Sequence, residues 1–178
     1  MQGVVSPLDD EHAGRMQALW QALRQEFGTE GLHPSPLPHL TYHAAERYDM
    51  ERLEAAVKSL ARSLPPFDIA TNGIGVFTGE RRIVYLPVVR HSRLTVLQRA
   101  VAEQVSRLGE GASEVWAPDN WVPHLSVAAL PPEDGRLGTM VEWLCGQDLG
   151  WTIPIGRLAI GEDTGEGQRF TLEATFEA

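Results

Sequence analysis

The sequence predicts an α+β protein built as two pseudo-symmetric lobes around a central cleft, and three observations carry that expectation. A tetrapeptide, Pro-His-Leu followed by Thr or Ser, occurs twice, at Pro38–Thr41 and Pro123–Ser126. Helix-like and strand-like segments follow one another in the same order around both copies. The landmarks also keep step: His39 and His124 lie 85 residues apart, Phe67 and Trp151 84, and Leu86 and Leu172 86. Phe27-Gly28 and Leu108-Gly109 lie 81 apart, the missing residues falling in the loop before each motif. Helix–strand alternation in any mixed protein produces some echoes; shared motif, order and spacing together favour a duplication.

Taken in order, Gly3 to Leu8 reads as a strand and Asp9 to Phe27 as an amphipathic helix, with Met16, Leu19, Trp20, Leu23 and Phe27 at spacings of three and four. A Pro-rich loop (HPSPLP, 33–38) leads to a strand from His39 to Ala44. Asp49 can cap a second helix with the apolar stripe Leu53, Ala56, Val57, Leu60 and Leu64, which Pro65-Pro66 ends. Strands follow at Phe67 to Phe77 and Arg82 to Val89. In the second half, Leu94, Leu97, Val101, Val105 and Leu108 mark a helix closed by Gly109. A loop through Pro118 precedes the strand His124 to Leu130. Leu137, Met140, Val141 and Leu144 mark the next helix. Trp151 to Ile160 and Gln168 to Phe176 read as the last strands, with Gly165 and Gly167 near the turn.

The chain has 178 residues, 43% hydrophobic and 22% charged, which suits one bilobal domain spanning 1–178. One cysteine, Cys145, forbids an internal disulfide and a Cys-based zinc site, and fits a cytoplasmic setting. No signal peptide is read at the start and no apolar run reaches membrane-spanning length. The formal net charge is −9, with 24 acidic against 15 basic residues, so a small nucleotide or a short RNA end is the expected partner rather than a long nucleic acid. A monomer is expected.

Side chains two apart on a strand share a face. His39 and Thr41 therefore project together, with Leu40 and Tyr42 behind them; His124 and Ser126 do likewise, backed by Leu125 and Val127. If the lobes face each other, two imidazoles and two hydroxyls surround one volume. Hydrolysis of a phosphodiester needs a base for the attacking water and an acid for the leaving alkoxide, and histidine serves as either near neutral pH. Hydroxyls of Thr41 and Ser126 can donate to the non-bridging oxygens, where charge must be held. No metal or other cofactor is expected.

At this point the pair His39-Leu40-Thr41 and His124-Leu125-Ser126 resembles the twin H-x-[T/S] signatures of the 2H phosphoesterase superfamily, which includes the 2′-5′ RNA ligase family and cyclic phosphodiesterases. The resemblance implies two duplicated α+β lobes, each with a small antiparallel sheet, around the cleft. It implies His39 and His124 as the acid–base pair and Thr41 and Ser126 as phosphate anchors, acting on a 2′,3′-cyclic or related phosphodiester. A 2′-5′ RNA ligase and a non-catalytic nucleotide- or RNA-binding protein are the alternatives. One departure stands out: many relatives continue the second motif into a phosphate-gripping arginine, where this chain reads His124-Leu-Ser-Val-Ala-Ala129. Arg81 or Arg82 can supply that charge, although a solvated hairpin position is the expectation.

The remaining candidates read as structural. His43 shares the His39 face in a regular strand, and is expected at the solvent edge of the cleft. His12, His33 and His91 are expected to face water. Trp116 and Trp121 flank the second motif; packing is expected, with base stacking the alternative. Gly73-Ile-Gly75 lacks the third glycine of a dinucleotide fingerprint. Ser126 lacks the strained G-x-S-x-G turn of a hydrolase nucleophile.

Overall fold

The computed structural model describes residues 1–28, 37–164 and 167–177. The elements run β1 (Gln2–Pro7), α1 (Asp10–Phe27), β2 (His39–Ala45), β3 (Arg47–Tyr48), α2 (Met50–Arg62), β4 (Phe67–Ala70), β5 (Gly75–Phe77) and β6 (Arg82–Pro87). They continue with α3 (Ser92–Val105), β7 (Gly109–Glu110), β8 (His124–Leu130), α4 (Leu137–Cys145), β9 (Thr152–Ile155), β10 (Arg157–Asp163) and β11 (Gln168–Thr175). His33 and Gly165, and most of the Pro-rich loop, lie outside the described residues.

Local chemistry accounts for the helices. The Asp9 carboxylate accepts from the His12 amide to cap α1, whose buried stripe is Met16, Leu19, Trp20 and Leu23. Asp49 caps α2 in the same way through the Arg52 amide, and that helix ends at Arg62, ahead of Pro65-Pro66. His91 caps α3 through the Leu94 amide.

Two antiparallel sheets hold the motif strands, in the orders β11-β10-β1-β2 and β5-β6-β8. Their registers repeat. In the first, Pro7 faces His39, Ser6 faces Leu40 and Val5 faces Thr41, with a bulge at Val4/Val5. In the second, Pro87 faces His124, Leu86 faces Leu125 and Tyr85 faces Ser126, with a bulge at Val84/Tyr85. Strand β6 is therefore the counterpart of β1, 80 residues on, and not of β11 as the Leu86/Leu172 spacing suggests. That spacing reflects two apolar strands of similar length, whereas the register reflects which strand each motif pairs with.

The duplicated units exchange their ends. The first runs β1-α1-β2-α2-β4-β5 and the second β6-α3-β8-α4-β9-β10, with β11 added at the edge. Strand β5 of the first pairs with β6 of the second, and β10 of the second pairs with β1 of the first. Helix α1 packs on β8 and α3 on β2, so the helices cross over too. The equivalent strands β4 and β9 pair with each other, Phe67 facing Ile155 and Ala70 facing Thr152, as strands straddling a two-fold would. This exchange breaks the two long strands read from sequence. Phe67 to Phe77 divides at Asn72-Gly73, where Gly73 takes a positive φ, and Trp151 to Ile160 divides at Gly156. Each change of partner sheet needs a change of chain direction there. One buried cluster, from Val4 and Leu40 to Leu125 and Ile160, runs through both units. No helix among the described residues is long and apolar enough to cross a membrane.

Candidate active site

Both motif strands show the same burial alternation: His39 and Thr41 are partly exposed while Leu40 and Tyr42 are buried, and His124 and Ser126 are partly exposed while Leu125 and Val127 are buried. The polar faces meet. A cleft of about 430 Å³ is lined by His39, Thr41, His124 and Ser126 together, and by Met16 and Trp20 of α1 at its floor. The four residues singled out by sequence thus surround one volume.

Each imidazole is held by its own chain in the same way. The Nδ1–H of His39 donates to the Leu37 carbonyl at 2.6 Å, and the Nδ1–H of His124 donates to the Val122 carbonyl at 2.7 Å. A carbonyl only accepts, so in the neutral rings the proton sits on Nδ1 and the lone pair on Nε2. Each ring also has an aromatic neighbour. Phe170 of β11 meets His39 edge-on with centroids 6.2 Å apart; Phe77 and Tyr85 meet His124 at 4.8 and 5.3 Å. Burial pushes both histidines below their ordinary pKa of 6.5, against the carbonyl hydrogen bonds that favour the charged form; for His39 the proximity of His124 adds to the lowering. The two sites sense each other's charge.

The bulges decide where each polar face ends. Val5 faces Thr41 but Val4 faces His43, so Tyr42 is the extra residue and the alternation slips by one. Ala44, not His43, continues the cleft face. His43 turns away, 4% exposed, with Nδ1 2.5 Å from the Tyr48 hydroxyl. The expectation that it shares the His39 face fails for that reason, and no His39/His43 metal pair exists. Among the described residues no group of three or more potential ligands comes together. His12 also departs from expectation: it is buried, pairs with the Asp9 carboxylate at 2.7 Å and packs near Trp151. The cap that begins α1 draws it in. His91 is partly exposed and spans Leu94 N and the Asp68 carbonyl.

The tryptophans divide. Trp121 is 1% exposed and its indole N–H donates to the Thr41 carbonyl at 3.0 Å, tying the approach to the second motif onto the first. Trp116 is partly exposed and lines a side pocket next to His39 and Thr41. Of the hairpin arginines, Arg82 donates to the Asp134 carbonyl, whereas the exposed Arg81 lines the cleft. That side pocket, lined also by Phe170 and Gly161, was not foreseen, because β11 carries no motif.

The sequence pattern of the 2′-5′ RNA ligase superfamily matches residues 8–164, a span holding both motifs and nearly every element. The chain belongs to that superfamily. Its two-motif architecture is that of the 2H phosphoesterases, as the resemblance implied. An RNA 2′,3′-cyclic phosphodiesterase of Methanothermobacter thermautotrophicus is 28% identical over 106 residues, covering 57% of this chain and 54% of that relative; the match spans about half that relative's length. The fold is that of TT0787 of Thermus thermophilus (18% identity, TM-score 0.64, 98% of this chain and 97% of that one). It is also that of E. coli LigT complexed with 3′-AMP (17% identity, TM-score 0.68, 99% and 98%). The α+β fold of small antiparallel sheets is thus shared along the whole chain.

Proposed function

We propose that this chain is a phosphodiesterase that opens 2′,3′-cyclic phosphates of small nucleotides or short RNA ends, with His39 and His124 as its acid–base pair. The observation that carries the reading is the common cleft, lined by both imidazoles and both motif hydroxyls. Nε2 of one histidine takes a proton from water as its oxygen forms a bond to phosphorus. The opposite histidine, protonated, gives its proton to the ring oxygen as the old P–O bond breaks. The product is a phosphomonoester, and the two rings regain their starting protonation through solvent. The Thr41 and Ser126 hydroxyls donate to the non-bridging oxygens, and Arg81 at the rim adds positive charge where the second motif has no arginine. The mechanism asks nothing of a metal. The named activity of the Methanothermobacter relative and the 3′-AMP complex of LigT support a nucleotide substrate. The net charge of −9 supports a short one, in a cytoplasmic protein acting as a monomer.

The test is turnover of 2′,3′-cyclic AMP by the purified chain in EDTA. General acid–base catalysis is typically worth about 10²–10⁴-fold, so His39→Ala and His124→Ala should each lose at least about 100-fold in kcat. Wild-type activity in either variant, or loss of all activity in EDTA, refutes the assignment.

A further inference from the structure

Gly3, Ala44 and Gly161 occupy one row across three neighbouring strands. Gly3 faces Ala44 on one side and Gly161 on the other. Beyond Gly161, the next residue in the row is Phe170 of β11. The cleft face of the first sheet is therefore almost bare backbone over three strands, stopped at one end by a phenyl ring. Trp116 stands on the same pocket. The matching row of the other lobe, placed by its identical register, is Ala129, Ile83 and Phe77, which is filled with side chains. The duplication has left a shelf on one lobe only.

That shelf forms a pocket of about 140 Å³ continuous with His39 and Thr41. Its walls are aromatic and its floor lacks side chains, the shape that accepts one flat ring system. Its rim is polar: Glu162 is braced by Arg169 at 2.7 Å and by the Gln2 amide at 3.3 Å, and Gln168 lies beside them. We propose that this is the nucleobase subsite: the base of the substrate lies on the Gly3–Gly161 shelf between Phe170 and Trp116 while its phosphate sits between the histidines. The inference rests on the phosphodiesterase reading for the phosphate, but not for the base. It fixes an orientation, with the nucleoside on the His39 side, and it assigns Trp116 and Phe170 as recognition groups.

Stacking on an aromatic side chain is worth about 1–3 kcal/mol per base by alanine substitution, or roughly 5- to 100-fold. The readout is the ratio of kcat/KM for 2′,3′-cyclic AMP to that for methyl riboside 2,3-cyclic phosphate, which has the same ring phosphate and no base. Wild type should favour the nucleotide, and Trp116→Ala and Phe170→Ala should each reduce that ratio roughly 5- to 100-fold. Gly161→Leu should do the same by filling the shelf; a Cβ there has room, its nearest neighbour being 3.8 Å away. Because Phe170 also touches His39, its variant can slow both substrates, which leaves the ratio as the informative quantity. A wild-type ratio near one, or a ratio unmoved in the variants while thermal melts show them folded, overturns the proposal. If wild type turns over neither compound, the phosphodiesterase reading falls. Calorimetric titration with 3′-AMP and with methyl riboside 3-phosphate then decides the subsite: a preference for 3′-AMP lost in Trp116→Ala supports it, and equal binding overturns it.

Discussion

Gly75→Ala tests whether the aromatic cluster beside His124 positions that ring. Gly75 faces Tyr85 across the β5–β6 hairpin, and the tyrosine ring lies directly over the glycine. A Cβ on residue 75 would stand 2.2 Å from Tyr85 Cζ and 2.4 Å from Cε2, against ordinary contact starting at 3.4 Å. The ring must therefore move by about 1.2 Å. It can do so only by leaving its stack on Phe77, at 4.1 Å, and its contact with His124, at 5.3 Å. An aromatic pair contributes about 0.5–1.5 kcal/mol beyond its buried area, and a chain of this size loses about 2–4 °C of Tm per kcal/mol. A drop of roughly 1–6 °C follows from those two ranges. The functional effect should be larger, because misplacing a reacting group by about 1 Å can cost up to about 100-fold. The Val122 hydrogen bond still holds Nδ1 of His124, so a fall of about tenfold in kcat, with KM little changed, is the expected result. Turnover of 2′,3′-cyclic AMP alongside a thermal melt measures both. A variant with unchanged Tm and kcat within twofold of wild type would refute the reasoning, since it would show the ring free to move without consequence for His124.

Other perturbations probe the rest of the site. Burial lowers both catalytic imidazoles below 6.5, so kcat/KM should peak on the acid side of 6.5, with limbs belonging to the pair rather than to either ring; a maximum above pH 7 would contradict this. The same shifts act on stability: the unfolded histidines take up protons first as pH falls below 6.5, so the folded state loses stability as pH drops through the folded values. Denaturant melts at pH 7.5 and 5 should show that loss, and His39→Asn or His124→Asn should reduce it. Thr41→Ala and Ser126→Ala should each cost about 10²–10³-fold in kcat, as for removal of one oxyanion donor, and Thr41→Ser should recover most of the activity. Arg81→Gln should raise KM about two- to fivefold, in keeping with an exposed charge, and the difference should vanish in high salt; a change in kcat alone would place Arg81 elsewhere in the mechanism.

Local patterns were legible in the sequence and non-local pairings were not. Asp9 and Asp49 announce their helices because a cap and a three-to-four periodicity are short-range signals. The faces of His39/Thr41 and His124/Ser126 follow from a two-residue period that holds for the length of the motif. Beyond Thr41 the period fails, since a bulge depends on the partner strand, and so a regular alternation puts His43 on the wrong face. His12 was expected in water because a helix start is usually exposed; its burial needs Trp151, which lies far along the chain. The exchange of β5 and β10 between units likewise leaves no local trace. Phe67 to Phe77 reads as one strand although its two ends pair with different sheets. Phe170 and the glycine row escaped notice because their meaning lies in the register across four strands.

The sheet orders place β2 and β8 each at the edge of its sheet, and these are the strands that carry the motifs. An edge strand exposes unpaired backbone groups, and two edges that approach one another are a template for joining into a continuous sheet. Here side chains of the second unit occupy that role on β2. The Trp121 indole donates to the Thr41 carbonyl, and the Gln98 amide, from α3, lies 3.5 Å from the Tyr42 carbonyl. Those contacts bind one edge without admitting a strand, so the lobes are joined while the space between the motifs stays open. The same residues that keep the cleft from closing therefore fix the backbone of Thr41 relative to the segment leading into His124. In a duplicated fold of this kind, holding the lobes apart and aligning the two halves of the reaction are one structural task.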